Sequence, residues 1–256
     1  MNFLTYTLHI LTSGAAAYIS ARHLRDPQTR PNVLAGFQLA EAGSVPFLEA
    51  LSRRAAAEGD PWLSDRLSRH AADERRHAQI FAHGLKQLGK QVIDFQPVEE
   101  KQADKQPDEQ RRSPFFEAYF KDYSSENLKP DQIDWIVFMA STYILELDAS
   151  KDFARMANTL PENELRSAAL KKGMLSIAND ETGHAAYLYE ALERRLPAQA
   201  VVEVVDGWRS RKVNALMAMV GNLFHKGGKL PSMVQDGAPV DMSETAIEQA
   251  PELQVA

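Results

Sequence analysis

Apolar residues recur at helical spacing along most of this chain, and the runs predict a protein built from long helices. From about Asn32 to Glu58, Leu34, Phe37, Val45 and Leu48 share one helix face with the acidic residue Glu41. Pro46 lies inside that run, where it removes a backbone hydrogen bond and predicts a kink one turn past Glu41. Gly59-Asp60-Pro61 ends this helix and opens the next, Trp62 to about Leu88. A short amphipathic helix is expected from about Pro114 to Tyr123. Pro130-Asp131 then opens a long helix carrying Glu146, and Pro161-Glu162 begins a fourth whose pattern runs to about Leu196. A further helix covers Ala198 to His225, with Met217, Met219, Val220 and Leu223 on apolar positions.

Residues 93–113 interrupt this pattern with dense charge and two prolines, too long for a tight turn between helices. They read as a crossover joining two αα-hairpins, the arrangement of bundles with one long connection. Residues 1–28 open with a nearly uncharged stretch, 3–20, in which His9 is the only basic or acidic side chain. Its threonines, serine and glycine, its marginal length and the lack of a basic leader favour a helix docked on the bundle over a membrane span, with a peripheral membrane contact as the next reading. The expected organisation is an N-terminal helix (1–28), a helical domain (29–226) and a mobile tail (227–256) rich in Pro, Gly and acidic residues.

Within the helices the string Asp-Glu-x-x-His-Ala occurs twice, as Asp73-Glu74-Arg75-Arg76-His77-Ala78 and Asp180-Glu181-Thr182-Gly183-His184-Ala185. Residues three apart on a helix share a face, so each copy offers one oxygen and one nitrogen to the same point in space. In a chain of 256 residues with 7 His, about 0.5 Glu-x-x-His matches arise by chance. One copy therefore carries little weight, while two extended copies do. Glu41 precedes the first by 33 residues and Glu146 precedes the second by 35. One Glu from each of two helices and a Glu-x-x-His from each of two others make a two-metal ligand set. Carboxylate and imidazole donors without thiolate suit iron or manganese better than structural zinc. Asp73 and Asp180 each stand four residues before a histidine and are expected to accept the imidazole N–H of the opposite helix.

These residues resemble the ferritin-like di-iron carboxylate superfamily, with matches at Glu41, Glu74, His77, Glu146, Glu181 and His184 over roughly residues 29–196. The resemblance implies an all-α, ferritin-like four-helix bundle with one long crossover and added N- and C-terminal helices. It implies two Fe ions, with Mn or a mixed Mn/Fe pair as alternatives, bridged by Glu74 and Glu181, with Glu41 and Glu146 terminal. It further implies a cytoplasmic non-haem di-iron oxidoreductase that activates O2 to oxidise a small organic substrate, as in aldehyde-deformylating oxygenases and tRNA hydroxylases. Iron oxidation or storage as in bacterioferritin, peroxide reduction as in rubrerythrin, and a non-enzymatic metal-stabilised scaffold remain open, because fold alone does not choose a chemistry.

Composition narrows the partners. A net charge of −6 and a pI near 5.7 argue against a broad nucleic-acid footprint. With no cysteine the chain cannot build a rubredoxin-type iron site, so a separate electron-donor protein is expected. A homodimer is a further expectation. Phe37, Val45, Phe81, Phe138, Met139, Met174 and Leu188 lie near the ligand stripe and are candidates to line an apolar substrate pocket. Tyr143, three residues before Glu146, is a candidate redox or hydrogen-bonding tyrosine. His70 and Tyr187 fall on the same faces and read as core or packing residues; Glu49 is two turns from Glu41 and too distant to be a ligand.

Overall fold

A computed structural model describes residues 3–93, 114–225 and 232–237. Among the described residues the fold is all-helical apart from one small ribbon. Its helices are α1 (Phe3–Arg25), α2 (Arg30–Ala57), α3 (Pro61–Gln87), α4 (Pro114–Tyr119), α5 (Trp135–Ala157), α6 (Leu165–Glu193) and α7 (Ala198–His225). Most of the expected crossover, 94–113, lies outside the described residues, as does most of the tail.

Local chemistry sets the helix ends. Gly59 takes φ +83, the left-handed conformation that stops α2 cheaply, and the Asp60 carboxylate accepts the Leu63 N–H to start α3 one residue later. Helix α5 begins at Trp135 rather than at Pro130-Asp131, because the Asp134 carboxylate caps the N–H groups of Ile136 and Val137. Helix α6 likewise begins at Leu165, four residues after the proline expected to open it. The short helix α4 ends at Tyr119, and α2 runs as one helix through Pro46.

Helices α2 and α3 pack as one antiparallel pair and α5 and α6 as a second, and the pairs meet chiefly through α3 and α6. Phe37 and Phe47 of α2 reach across to Phe153 and Phe138 of α5, at centroid distances of 5.1 and 6.1 Å. The apolar interior forms two layers. One gathers Leu51, Leu63, Leu67, Phe138, Ile144 and Leu188; the other gathers Leu34, Phe81, Leu85, Phe153, Met174 and Ile177. The buried acids and histidines of α2, α3, α5 and α6 belong to neither.

The terminal helices cover one side. Helix α1 packs on α5 and α7, where His9 Nε2 and Ser13 Oγ both reach Asp148 Oδ2, at 2.7 and 3.1 Å, and Lys212 Nζ neutralises the same carboxylate at 2.7 Å. Helix α7 carries Trp208 into a ring cluster with Tyr119, Phe120 and Tyr123. Among the described residues no helix is long and apolar enough to cross a membrane. Part of the segment expected to be a mobile tail is instead structured: Val234–Asp236 pairs antiparallel with Lys90–Val92, and Asn32 Oδ1 accepts the Met233 N–H at 3.0 Å. The tail thus returns to the α2–α3 end of the bundle, a long-range pairing that local composition does not encode.

Candidate metal centre

The six expected ligands converge. Two groups of donor atoms lie side by side, all buried except the half-buried Glu146: Glu41, Glu74, His77 and Glu181 in one, and His70, Glu74, Glu146 and His184 in the other, with the atoms of each group within 4.8 Å of one another. Glu74 belongs to both. Glu181 spans them with its two oxygens, Oε1 standing 3.3 Å from His77 Nδ1 and Oε2 3.2 Å from His184 Nδ1. Glu74 Oε1 lies 3.7 Å from each of the same nitrogens. Donor atoms on one metal with bonds of about 2.0–2.2 Å sit roughly 3 Å apart at right angles, a spacing that the Glu181 contacts approach.

The histidines are held from behind. His77 Nε2 lies 3.2 Å from Asp180 Oδ2 and His184 Nε2 lies 3.3 Å from Asp73 Oδ2, each aspartate coming from the opposite Glu-x-x-His helix. With Nε2–H donating to the carboxylate, each Nδ1 lone pair faces the acids. His77 Nδ1 tests the fit most sharply: it is buried and makes no hydrogen bond although three carboxylates lie within 4.0 Å. A buried polar atom without a partner is costly, and a cation between it and those oxygens would satisfy all of them.

The acids are crowded enough to shift one another. Burial, a hydrogen bond to Glu74 and the charges of Glu74, Glu181 and Glu146 push the Glu41 carboxyl well above the usual range. Burial and the adjacent Glu181 push Glu146 up to about 8, against the pull of His70. Glu74 goes the other way: burial opposes its ionisation, but hydrogen bonds with His70 and Glu41 and the charges of His70 and His77 hold it well below the usual range. Burial and mutual repulsion thus raise two of these carboxyls, while the neighbouring histidines lower the third.

His70 is the residue that the sequence pattern undervalues. Its side chain is buried, Nε2 lies 3.1 Å from Glu74 Oε1 and 3.4 Å from Glu146 Oε1, and its ring stacks on His184 at 3.7 Å. Burial pulls its pKa down, but Tyr187, Glu146 and Glu74 outweigh that and raise it well above the usual value. The Tyr187 hydroxyl lies 2.7 Å from Nδ1 and takes the place that Asp73 and Asp180 hold for the other two rings. Positions 70, 74 and 77 lie on one helical stripe, the signal from which His70 is readable. Ser44, which no motif singles out, brings its hydroxyl to 3.1 Å from Glu74 Oε2.

Other expected residues stand elsewhere. Tyr143 packs its ring on Tyr189 at 5.2 Å. Glu49 pairs with Arg75 at the surface. The seven candidate pocket residues divide between the two apolar layers: Phe81 and Met174 are fully buried in one with Phe37 packed against them, Phe138, Met139 and Leu188 are buried in the other, and Val45 is half-buried in neither. Helical spacing places a residue on an inward face but does not separate a cavity wall from close-packed core. A groove of about 280 Å³ does open between α3 and α6, beside the turn of α3 that carries His77, with Arg76 and Ile80 among its lining residues. No family model matches the chain, and no match was found among curated proteins or solved structures.

Proposed function

We propose that this chain is a ferritin-like carboxylate bundle that holds two iron ions, or manganese in one or both places, and uses them to activate O2 against an organic substrate. The observation that carries the reading is the pair of donor groups sharing Glu74 and spanned by Glu181, with the His77 Nδ1 lone pair unmatched between them. When bound, such a pair of ions supplies the redox chemistry that no side chain here can perform. The chain's own residues bind and orient. Glu41, Glu74, Glu146, Glu181, His77 and His184 would hold the ions, His70 would join the set on the Glu146 side, and Asp73, Asp180 and Tyr187 fix the ring tautomers. The apolar layers above and below exclude water. With no cysteine in the sequence, electrons come from a separate donor protein.

A second reading, oxidation and handling of iron itself, draws support from the full burial of Phe81, Met139, Met174 and Leu188, four of the residues expected to bind a substrate. One experiment separates the two. The protein is loaded anaerobically with Fe(II), O2 is admitted, and the optical spectrum, the iron retained per chain and any oxidised co-purified compound are followed. Repeated turnover with electron donor at constant iron supports oxygenation. Accumulation of ferric iron beyond the site supports iron handling.

A further inference from the structure

We propose that the groove between α3 and α6 is a binding site for a small amphipathic carboxylate whose head pairs with Arg76 and whose apolar body lies against Ile80, Gly84, Leu170 and Gly173. The proposal concerns a site outside the metal cluster and stands independently of the oxidoreductase reading.

The groove has the size and wall chemistry for such a ligand. About 280 Å³ is just below the usual range for small-molecule sites, room for a short-chain acid rather than a cofactor. The two helices pack closely along it: a Cβ on Gly173 would stand 2.6 Å from Ile80 Cγ2 and force the helices apart, whereas one on Gly84 would make ordinary contacts with Leu34 and Leu170, at 3.4 and 3.5 Å. The lining joins apolar Ile80, Ala169 and Leu170 to polar Arg76, Gln79 and His83.

Charge selects the head group. Among the described residues no acid lines the groove, and Arg76 is its one permanently charged lining group. The Gln87 amide donates to His83 Nε2 at 2.8 Å, so the histidine on the margin is held with that nitrogen as an acceptor. Arg76 is placed to report occupancy to the metal ligands. It ion-pairs with Asp180, reaches Asp73 at 3.6 Å, lies 3.5 Å from His77 Nε2 and donates to Ser176 Oγ at 3.3 Å. The second motif has Gly183 at the matching position, so this arginine has no counterpart on the other side. Its side chain is 40% exposed, and a guanidinium with five donors can hold a ligand carboxylate while keeping Asp180.

The test is isothermal titration of octanoate, octanol and octyltrimethylammonium into the full chain, metal-free and metal-loaded. Octanoate should bind at one site per chain, at least about ten-fold more tightly than octanol, because only the acid gains the charge-assisted pair. The ammonium should not bind. Ala169→Trp places an indole in the groove from an exposed turn of α6 and should weaken octanoate binding by at least about ten-fold while leaving the circular dichroism melt unchanged. Arg76→Gln should reduce octanoate to the affinity of octanol. The proposal is overturned if octanoate shows no saturable binding, if octanol binds wild type equally well, or if folded Ala169→Trp binds octanoate as wild type does.

Discussion

Metal binding should release protons, and Glu146 should set much of the pH dependence. Its carboxyl is pushed up to about 8 in the metal-free bundle, chiefly by burial and by the neighbouring Glu181. At neutral pH roughly nine in ten chains therefore carry a proton there, and a cation must displace it. Apparent affinity should climb about ten-fold per pH unit between about pH 5 and 7 from this residue alone, and flatten above about pH 8. Glu41, raised by burial and by its bond to Glu74, should steepen the climb. The same displacement bears on stability. A folded pKa above the ordinary 4.5 gives a contribution that is full below about pH 4.5 and is lost as pH rises through about 8. Glu146→Gln keeps the shape and is never charged, so the metal-free variant should melt higher than metal-free wild type at about pH 8 and match it near pH 5. Calorimetric titration with Mn(II) in buffers of different ionisation enthalpy counts the protons, and thermal melts of the stripped proteins read the stability. Absence of proton release near pH 7, together with identical melts of the two metal-free proteins near pH 8, would refute the reasoning.

Other perturbations probe separate parts of the site. Asp73→Asn and Asp180→Asn keep the shape but remove the anionic acceptors of His184 and His77, and each should weaken metal binding or turnover by roughly 10- to 100-fold, measured by competition with a chelator. His70→Ala should weaken the metal on the Glu146 side by at least about ten-fold while sparing the Glu41 side, giving two well-separated binding steps; unchanged affinity at both steps would remove His70 from the ligand set. Gly173→Ala should cost about 1–3 kcal/mol in chemical denaturation, because its Cβ would stand 2.6 Å from the stiff Cγ2 of Ile80.

The donor set is legible in the amino-acid sequence because a helix converts the spacing i, i+3 into proximity, and two copies of one string make chance improbable. The same regularity predicts that Asp73 and Asp180 cross to the opposite helix's histidine, as they do. It applies equally to His70, which shares a stripe with Glu74 and His77; seven residues is distant only when counted along the chain. Other features are not local. Whether Phe81 or Met174 walls a cavity depends on how the facing helices fill the space, which no periodicity reports. The starts of α5 and α6 depart from the proline signals because a proline permits a first helical turn without requiring it, and the Asp134 cap decides the matter at α5. Pairing of Val234–Asp236 with Lys90–Val92 joins segments 144 positions apart, beyond any local signal.

The central claim is a two-metal centre built on shared carboxylates, and the most direct measurement is metal content per chain after anaerobic reconstitution with Fe(II), in wild type and in Glu74→Ala and Glu181→Ala. Wild type should hold about two ions, and each variant should lose at least one, because Glu74 belongs to both donor groups and Glu181 brings one oxygen to a histidine of each. Two ions retained by both variants would contradict the account.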